Sequence, residues 1–131
     1  MKHIQVTLIS TVIMTMLFSA SGCAQEIKNE LLSHKWYLHA YHIENKTYSP
    51  EKKEKEDFIQ FNNNMTFISK SEGNIEKGQY TLNSKDHYIE FKDNAKGVLR
   101  AYIISVDTKT LVLKYDVREL RAIEVVYKRS R

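Results

Sequence analysis

The links between this chain's alternating segments are too short to hold a crossover helix, so neighbouring segments must pair antiparallel. Asn62-Asn63-Asn64, Glu72-Gly73-Asn74, Asn83-Ser84-Lys85-Asp86, Asp93-Asn94-Ala95-Lys96-Gly97 and Asp107-Thr108-Lys109 carry the residues of tight turns. Parallel strands need a connection of a dozen or more residues, whereas hairpin partners need only a turn. The segments between these turns alternate apolar and polar with the period of a strand, over 36–41, 57–62, 65–71, 76–82, 87–92, 98–106, 111–115 and 122–128. Eight strands follow. The one long link, 44–56, contains the sole proline, Pro50, and the charge run Glu51-Lys52-Lys53-Glu54-Lys55-Glu56. It reads as a solvated loop or a short surface helix.

One face can be followed through all eight segments. It takes in Trp36 and Leu38; Ile59 and Phe61; Met65 and Phe67; Tyr80 and Leu82; Ile89 and Phe91. It continues through Tyr102, Ile104 and Val106; Leu111, Leu113 and Tyr115; and Ile123, Val125 and Tyr127. In the first segment Ala40 shares the inward side, while Tyr37, His39 and Tyr41 point outward. Each large apolar side chain stabilises by about 1.5–3 kcal/mol when buried. An open meander would leave two edges ready to pair with other chains, and closure removes both. The prediction is therefore an all-β fold: an eight-stranded antiparallel up-and-down barrel. Ile27, Leu31 and Leu32 recur at helical spacing in 25–33, which predicts a short N-terminal helix packed on it.

The order of these features resembles the lipocalin-like domains of small bacterial lipoproteins. The resemblance rests on Leu31-Leu32-Ser33-His34-Lys35-Trp36-Tyr37-Leu38, then Phe58-Ile59-Gln60-Phe61-Asn62 turning into Met65-Thr66-Phe67. It continues in Gly78-Gln79-Tyr80-Thr81-Leu82, Tyr88-Ile89-Glu90-Phe91, Tyr102-Ile103-Ile104-Ser105-Val106 and Leu111-Val112-Leu113. In lipocalins a Gly-x-Trp opens the first strand and its tryptophan closes one barrel end. Here the sequence is His34-Lys35-Trp36, without that glycine. The resemblance implies that Trp36 plugs the barrel and that Arg118 or Arg121 stacks on it.

The N-terminus carries a second resemblance. Lys2 and His3 precede the apolar run 4–18, and Ala20-Ser21-Gly22 precede Cys23, the only cysteine. A charged region, an apolar region and small residues make a secretory signal over 1–22, leaving the domain at 23–131. The run of 15 residues falls short of the roughly 20 that span a bilayer. Ala20-Ser21-Gly22-Cys23 is similar to the lipobox of bacterial lipoproteins, with Ala20 where that motif usually has Leu. The similarity implies cleavage before Cys23 and attachment of diacylglycerol, followed by an acyl group such as palmitate. The expected location is the bacterial cell envelope. Ala24 lacks the acidic character that retains some lipoproteins at the inner membrane, which favours the outer membrane.

Signals for chemistry are sparse. No Gly-x-Ser-x-Gly elbow, phosphate loop or second cysteine is present. His39 and His42 fall on opposite faces of an extended strand, and His34 and His42 would stand about 27 Å apart at strand rise. No catalytic residue, metal ligand or cofactor is expected. The formal charge is +4, concentrated after residue 95, but no nucleic-acid motif accompanies it. It either attracts anionic headgroups or an acidic protein, or decorates outer strand faces.

What remains is binding. A barrel of eight strands is either filled by its side chains or keeps room for one small ligand. If a cavity exists, Trp36, Phe61, Tyr80, Tyr102 and Tyr115 are its expected wall, suited to a small apolar or amphipathic molecule. The alternative is a protein-interaction module, such as an inhibitor, an immunity factor or an envelope assembly partner. It would use an outer aromatic face of Tyr37, Tyr41, Phe58 and Tyr88, or the Pro50 loop.

Overall fold

The computed structural model describes residues 26–93 and 97–130. Cys23, the signal segment and the Asn94–Lys96 part of one turn lie outside the described residues. Among the described residues there are one α-helical turn, α1 (Asn29–Leu32), two 3₁₀ turns and nine strands. The strands are β1 (Lys35–Ile43), β2 (Lys46–Tyr48), β3 (Phe58–Phe61), β4 (Thr66–Ser71) and β5 (Asn74–Asn83). After them come β6 (Tyr88–Asp93), β7 (Gly97–Val106), β8 (Thr110–Tyr115) and β9 (Ile123–Lys128). All pairings are antiparallel and run β3 to β9 in chain order, with β1 between β3 and β9. Leu38 pairs with Tyr127 and Tyr41 with Val125, which closes eight strands into a barrel.

The ninth strand is β2. It occupies part of the 44–56 link and pairs with the far half of β1, Tyr41 to Tyr48 and Ile43 to Lys46. β1 pairs with β3 only through Lys35, Trp36 and Tyr37. The seam therefore widens beyond Leu38, whose amide still donates to the Asp57 carbonyl at 3.0 Å. The charged run forms a 3₁₀ turn, Lys52–Glu54, capped reciprocally by Glu51 and Glu54.

Short turns set the strand pairing as their chemistry predicts. Glu72 and Gly73 have φ of 50° and 89°, and two residues with positive φ between paired strands give the twist a hairpin needs. Gly78 answers a different demand. A Cβ there would collide with the Lys92 carbonyl oxygen and sit 2.9 Å from the Phe67 ring. The absent side chain lets Phe67 lie across the neighbouring strand.

Two bulges alter the expected face pattern. The β1–β9 register shifts between Leu38 and Ala40, so the parity of β1 reverses there. Tyr41 consequently turns inward to pack on the core, and Ala40 opposes Val126 apart from the interior cluster. A second shift lies between Ile103 and Ser105 on β7. The inward residues of β7 are Leu99, Ala101, Ile103 and Val106. Tyr102 and Ile104, expected inside, are 40% and 47% exposed. This corrects the sequence reading: Val106 is inward only because the bulge restores its parity.

The glycines separate two energetic effects in a testable way. Gly78→Ala forces a backbone clash and should cost about 3 kcal/mol. Gly73→Ala meets no atom within 4 Å and pays only for its left-handed φ, about 1–2 kcal/mol. Urea unfolding midpoints should fall in that order, with Gly78→Ala much the lower.

Candidate functional site

The two barrel ends differ. At one end α1 lies across the opening, its own Leu32 and the Trp36 beneath it both fully buried. The Trp36 indole N–H donates to the Leu32 carbonyl at 2.9 Å, so the plug and the helical turn hold each other. The Tyr80 hydroxyl lies 2.9 Å from Asn29 Oδ1 and 3.1 Å from the Asn62 carbonyl oxygen, joining α1 to the β3–β4 turn. The cation over Trp36 is Arg129, with its guanidinium carbon 5.8 Å from the ring centroid. That corrects the expectation for Arg118 or Arg121. Arg121 instead pairs with Asp116 at 3.0 Å, and Arg118 lies in the exposed 3₁₀ turn Arg118–Leu120. Arg129 follows β9 directly, and the closing pair Tyr37–Lys128 brings it to the plugged end. Burial and then the Arg129 charge hold the nearby His34 below its ordinary pKa.

From this end a series of rings leads into the barrel. Phe61 packs edge-on to Tyr80 at 5.0 Å and tilted on Phe91 at 5.8 Å. Phe91 meets Phe67 edge-on at 5.0 Å and Tyr115 at 6.5 Å. Such offset and edge arrangements are the favourable ones for aromatic pairs. Past Phe91 the rings no longer fill the space. A cavity of about 650 Å³ opens there, with Leu38, Phe67, Phe91, Leu99 and Val125 as its apolar wall. Tyr41, Tyr115 and Tyr127 add three phenols to the lining.

Of the five residues expected to form a wall, the structure puts only Tyr115 on this cavity. Trp36, Phe61 and Tyr80 are in the packed end, fully or almost fully buried. Tyr102 is on the outer surface, 6.1 Å from the Tyr88 ring. Leu38, Phe67, Phe91, Val125 and Tyr127 belonged to the predicted inward face but were not singled out as wall. Tyr41 and Leu99 were not on that face at all. Tyr41 is inward because of the β1 bulge, whereas Leu99 lies opposite Phe91 in an unbroken β6–β7 register and differs in parity from Val106 through the β7 bulge. Nothing in local alternation announces a bulge.

Tyr115 and Tyr127 hydroxyl oxygens are 2.6 Å apart. The pair holds two protons and its mutual bond uses one, so the other is available to an acceptor in the cavity. The Tyr41 hydroxyl donates to Glu54 Oε2 at 2.7 Å, tying the 3₁₀ turn to the cavity wall. Burial pushes the Tyr115 phenol up to about 12, with the bond to Tyr127 opposing. Burial, then the Tyr115 hydroxyl, raises Tyr127 well above the ordinary value. Tyr41 is also raised, by burial and then by the Glu54 carboxylate.

The mouth contains Asp57, the one buried charged residue among those described. Its Oδ1 accepts from the Glu72 amide at 2.9 Å, fastening the β4–β5 hairpin to the start of β3. Burial raises its pKa, and that amide bond opposes the rise. Among the described residues no group of three or more His, Cys, Asp or Glu side chains is placed to hold a metal ion.

A closed antiparallel barrel, plugged by a tryptophan under a short helix and hollow at the other end, is the architecture of a lipocalin-like protein. A family described as a lipocalin-like domain matches residues 32–113, more than half of the chain, and the chain belongs to that family. A lipocalin-like protein from Bacteroides uniformis shares the fold at 17% identity with a TM-score of 0.55. The alignment covers 76% of this chain and 98% of that one. Comparison with curated proteins gave no match. Most of the cavity lining lies within the matched segment; Tyr115, Leu120, Val125 and Tyr127 lie beyond it.

The phenols supply a direct check. Because the folded values exceed the ordinary value near 10, the unfolded chain ionises these tyrosines first. Their contribution to stability is intact below that pH and is lost as pH rises through it. Native absorbance at 295 nm near pH ~11 should fall short of the denatured chain by about three phenolates. Tyr115→Phe with Tyr127→Phe should remove most of the deficit.

Proposed function

We propose that this chain is a lipid-anchored lipoprotein of the bacterial cell envelope that holds a small apolar or amphipathic molecule in the open half of its barrel. The cavity of about 650 Å³ carries this reading. Small-molecule sites commonly occupy about 300–1,000 Å³, mostly apolar with a few polar groups that orient the ligand. Here aliphatic and phenyl groups form the wall, while the paired phenols and Tyr41 supply the polar atoms. Binding requires no bond chemistry, and the role proposed is that of a carrier or sensor, not an enzyme. Support for the anchor is Cys23 after Ala20-Ser21-Gly22. Cleavage there would leave short tether residues before α1, and the outer membrane is the favoured location.

A second reading has one observation behind it. On the outside of β6 and β7, Arg100 lies 4.0 Å over the Tyr88 ring, beside Tyr102 and Ile104. Interfaces are enriched in aromatic side chains and arginine. Tyr37 and Phe58 also remain toward the outside, with Lys35 Nζ 5.3 Å and 4.0 Å from their rings. A partner protein on these faces is the alternative to a ligand inside.

Native mass spectrometry and displacement of an apolar fluorescent dye distinguish the two. Leu99→Trp, which fills the cavity, should weaken dye binding about tenfold or more, whereas Tyr102→Ala should leave it unchanged. No uptake of dye, together with a protein partner lost on Tyr102→Ala, would favour the surface reading. Metabolic labelling with palmitate tests the anchor separately. The wild-type chain should carry label and sediment with membranes, and Cys23→Ser should do neither.

A further inference from the structure

We infer that the ligand of this cavity is a cation with an apolar or aromatic body, an amphipathic amine rather than a fatty acid. The inference rests on the reading of the cavity as a ligand site and specifies its chemistry.

The chain is basic overall, with formal charge +4, yet the side chains lining the cavity have the opposite balance. Among the described lining residues, Glu54, Asp57, Glu72, Glu76 and Asp93 are five carboxylates against one ammonium, Lys70. They come from separate stretches: the 3₁₀ turn, the approach to β3, the β4–β5 turn, the start of β5 and the end of β6. Barrel geometry, not a local acidic run, gathers them at one opening. Their proximity is felt electrically. The charges of Glu54 and Glu72 both act to raise the Asp57 pKa, and Glu54, Asp57 and Glu72 all act on Tyr41. Lys53 bonds Glu72 at 3.0 Å and offsets part of this field from the solvent side.

Beneath the acidic opening are the faces and edges of Tyr41, Phe67, Phe91, Tyr115 and Tyr127. A cleft with low-dielectric walls and charges of one sign concentrates the opposite ion. Aromatic faces also attract a cation electrostatically, in addition to burying its apolar part. A carboxylate head would meet the same groups as repulsion, with Lys70 and the outlying Lys53 the ammonium groups in compensation among the described residues there. An amine with its head among the mouth carboxylates and its body against the rings satisfies both parts of the site. The available hydroxyl proton of the Tyr115–Tyr127 pair would suit an acceptor atom on that body.

Calorimetric titration of the full chain with 6-phenylhexylamine, 6-phenylhexanol and 6-phenylhexanoate tests this, since the three share one body and differ in head charge. The amine should bind about tenfold tighter than the alcohol, and the carboxylate weakest. The amine's advantage should shrink at high salt and in Glu76→Gln with Asp93→Asn. Lys70→Gln should enlarge it, which guards against misfolding of the acidic variants. Equal binding of all three, or tightest binding of the carboxylate, overturns the charge assignment and leaves the cavity reading intact. No heat with any of the three, including the neutral alcohol, overturns both.

Discussion

The pairing of β1 with β9 is the contact on which the rest of this structure depends. It turns a meander into a barrel and supplies partners for two backbone edges that would otherwise be exposed. It also makes an inside. Leu38 meets Tyr127 and Tyr41 meets Val125 only across this seam, and all four line the cavity. Arg129 reaches the Trp36 ring through the same closure. Local strand propensity cannot achieve this, because the two partners lie near opposite ends of the described chain.

Closure leaves an interior whose two ends meet different fates. At the plugged end the inward residues are large, and α1 contributes Leu32 and a carbonyl that satisfies the Trp36 N–H. Aromatic rings fill the space down to Phe91. On the other side β7 contributes Gly97, Val98 and Leu99 to the cavity wall, and β1 diverges from β3 after Tyr37. Side chains there no longer reach across the barrel. The phenols satisfy one another or Glu54, so the polar atoms of the wall are compatible with an apolar lining. A hollow that keeps its hydroxyl groups bonded needs no ligand to hold its shape.

Reading the residues in order recovers the strands well because each depends on near neighbours. The turns at 62–64, 72–74, 83–86 and 107–109 all separate observed strands, and the inward faces of β3, β4, β5, β6 and β8 have the predicted parity. The differences in inward face come from bulges. A bulge shifts parity by one residue: on β1 it turns Tyr41 inward, and on β7 it puts Val106 on the same face as Leu99, Ala101 and Ile103, while Tyr102 faces outward. β2 was missed because Lys46-Thr47-Tyr48 has no buried face and exists only as a partner to the end of β1. The helix predicted over 25–33 is present in the described residues as a single turn, too short for its own hydrogen bonds to sustain it without the barrel beneath.

The order of residues alone establishes antiparallel neighbours, the turn positions and the alternating faces of the strands, whereas the plug role of Trp36 is implied only by the resemblance to lipocalins. The first three follow from spacing over a few residues, where steric preference and burial period act directly. The position of the bulges, the identity of the arginine over Trp36 and the depth to which rings fill the barrel were settled only when distant strands met. So was the gathering of five carboxylates around one mouth within a basic chain. Curvature and closure are properties of the whole sheet: they determine which side chains share an interior, and no short window of the chain contains that information.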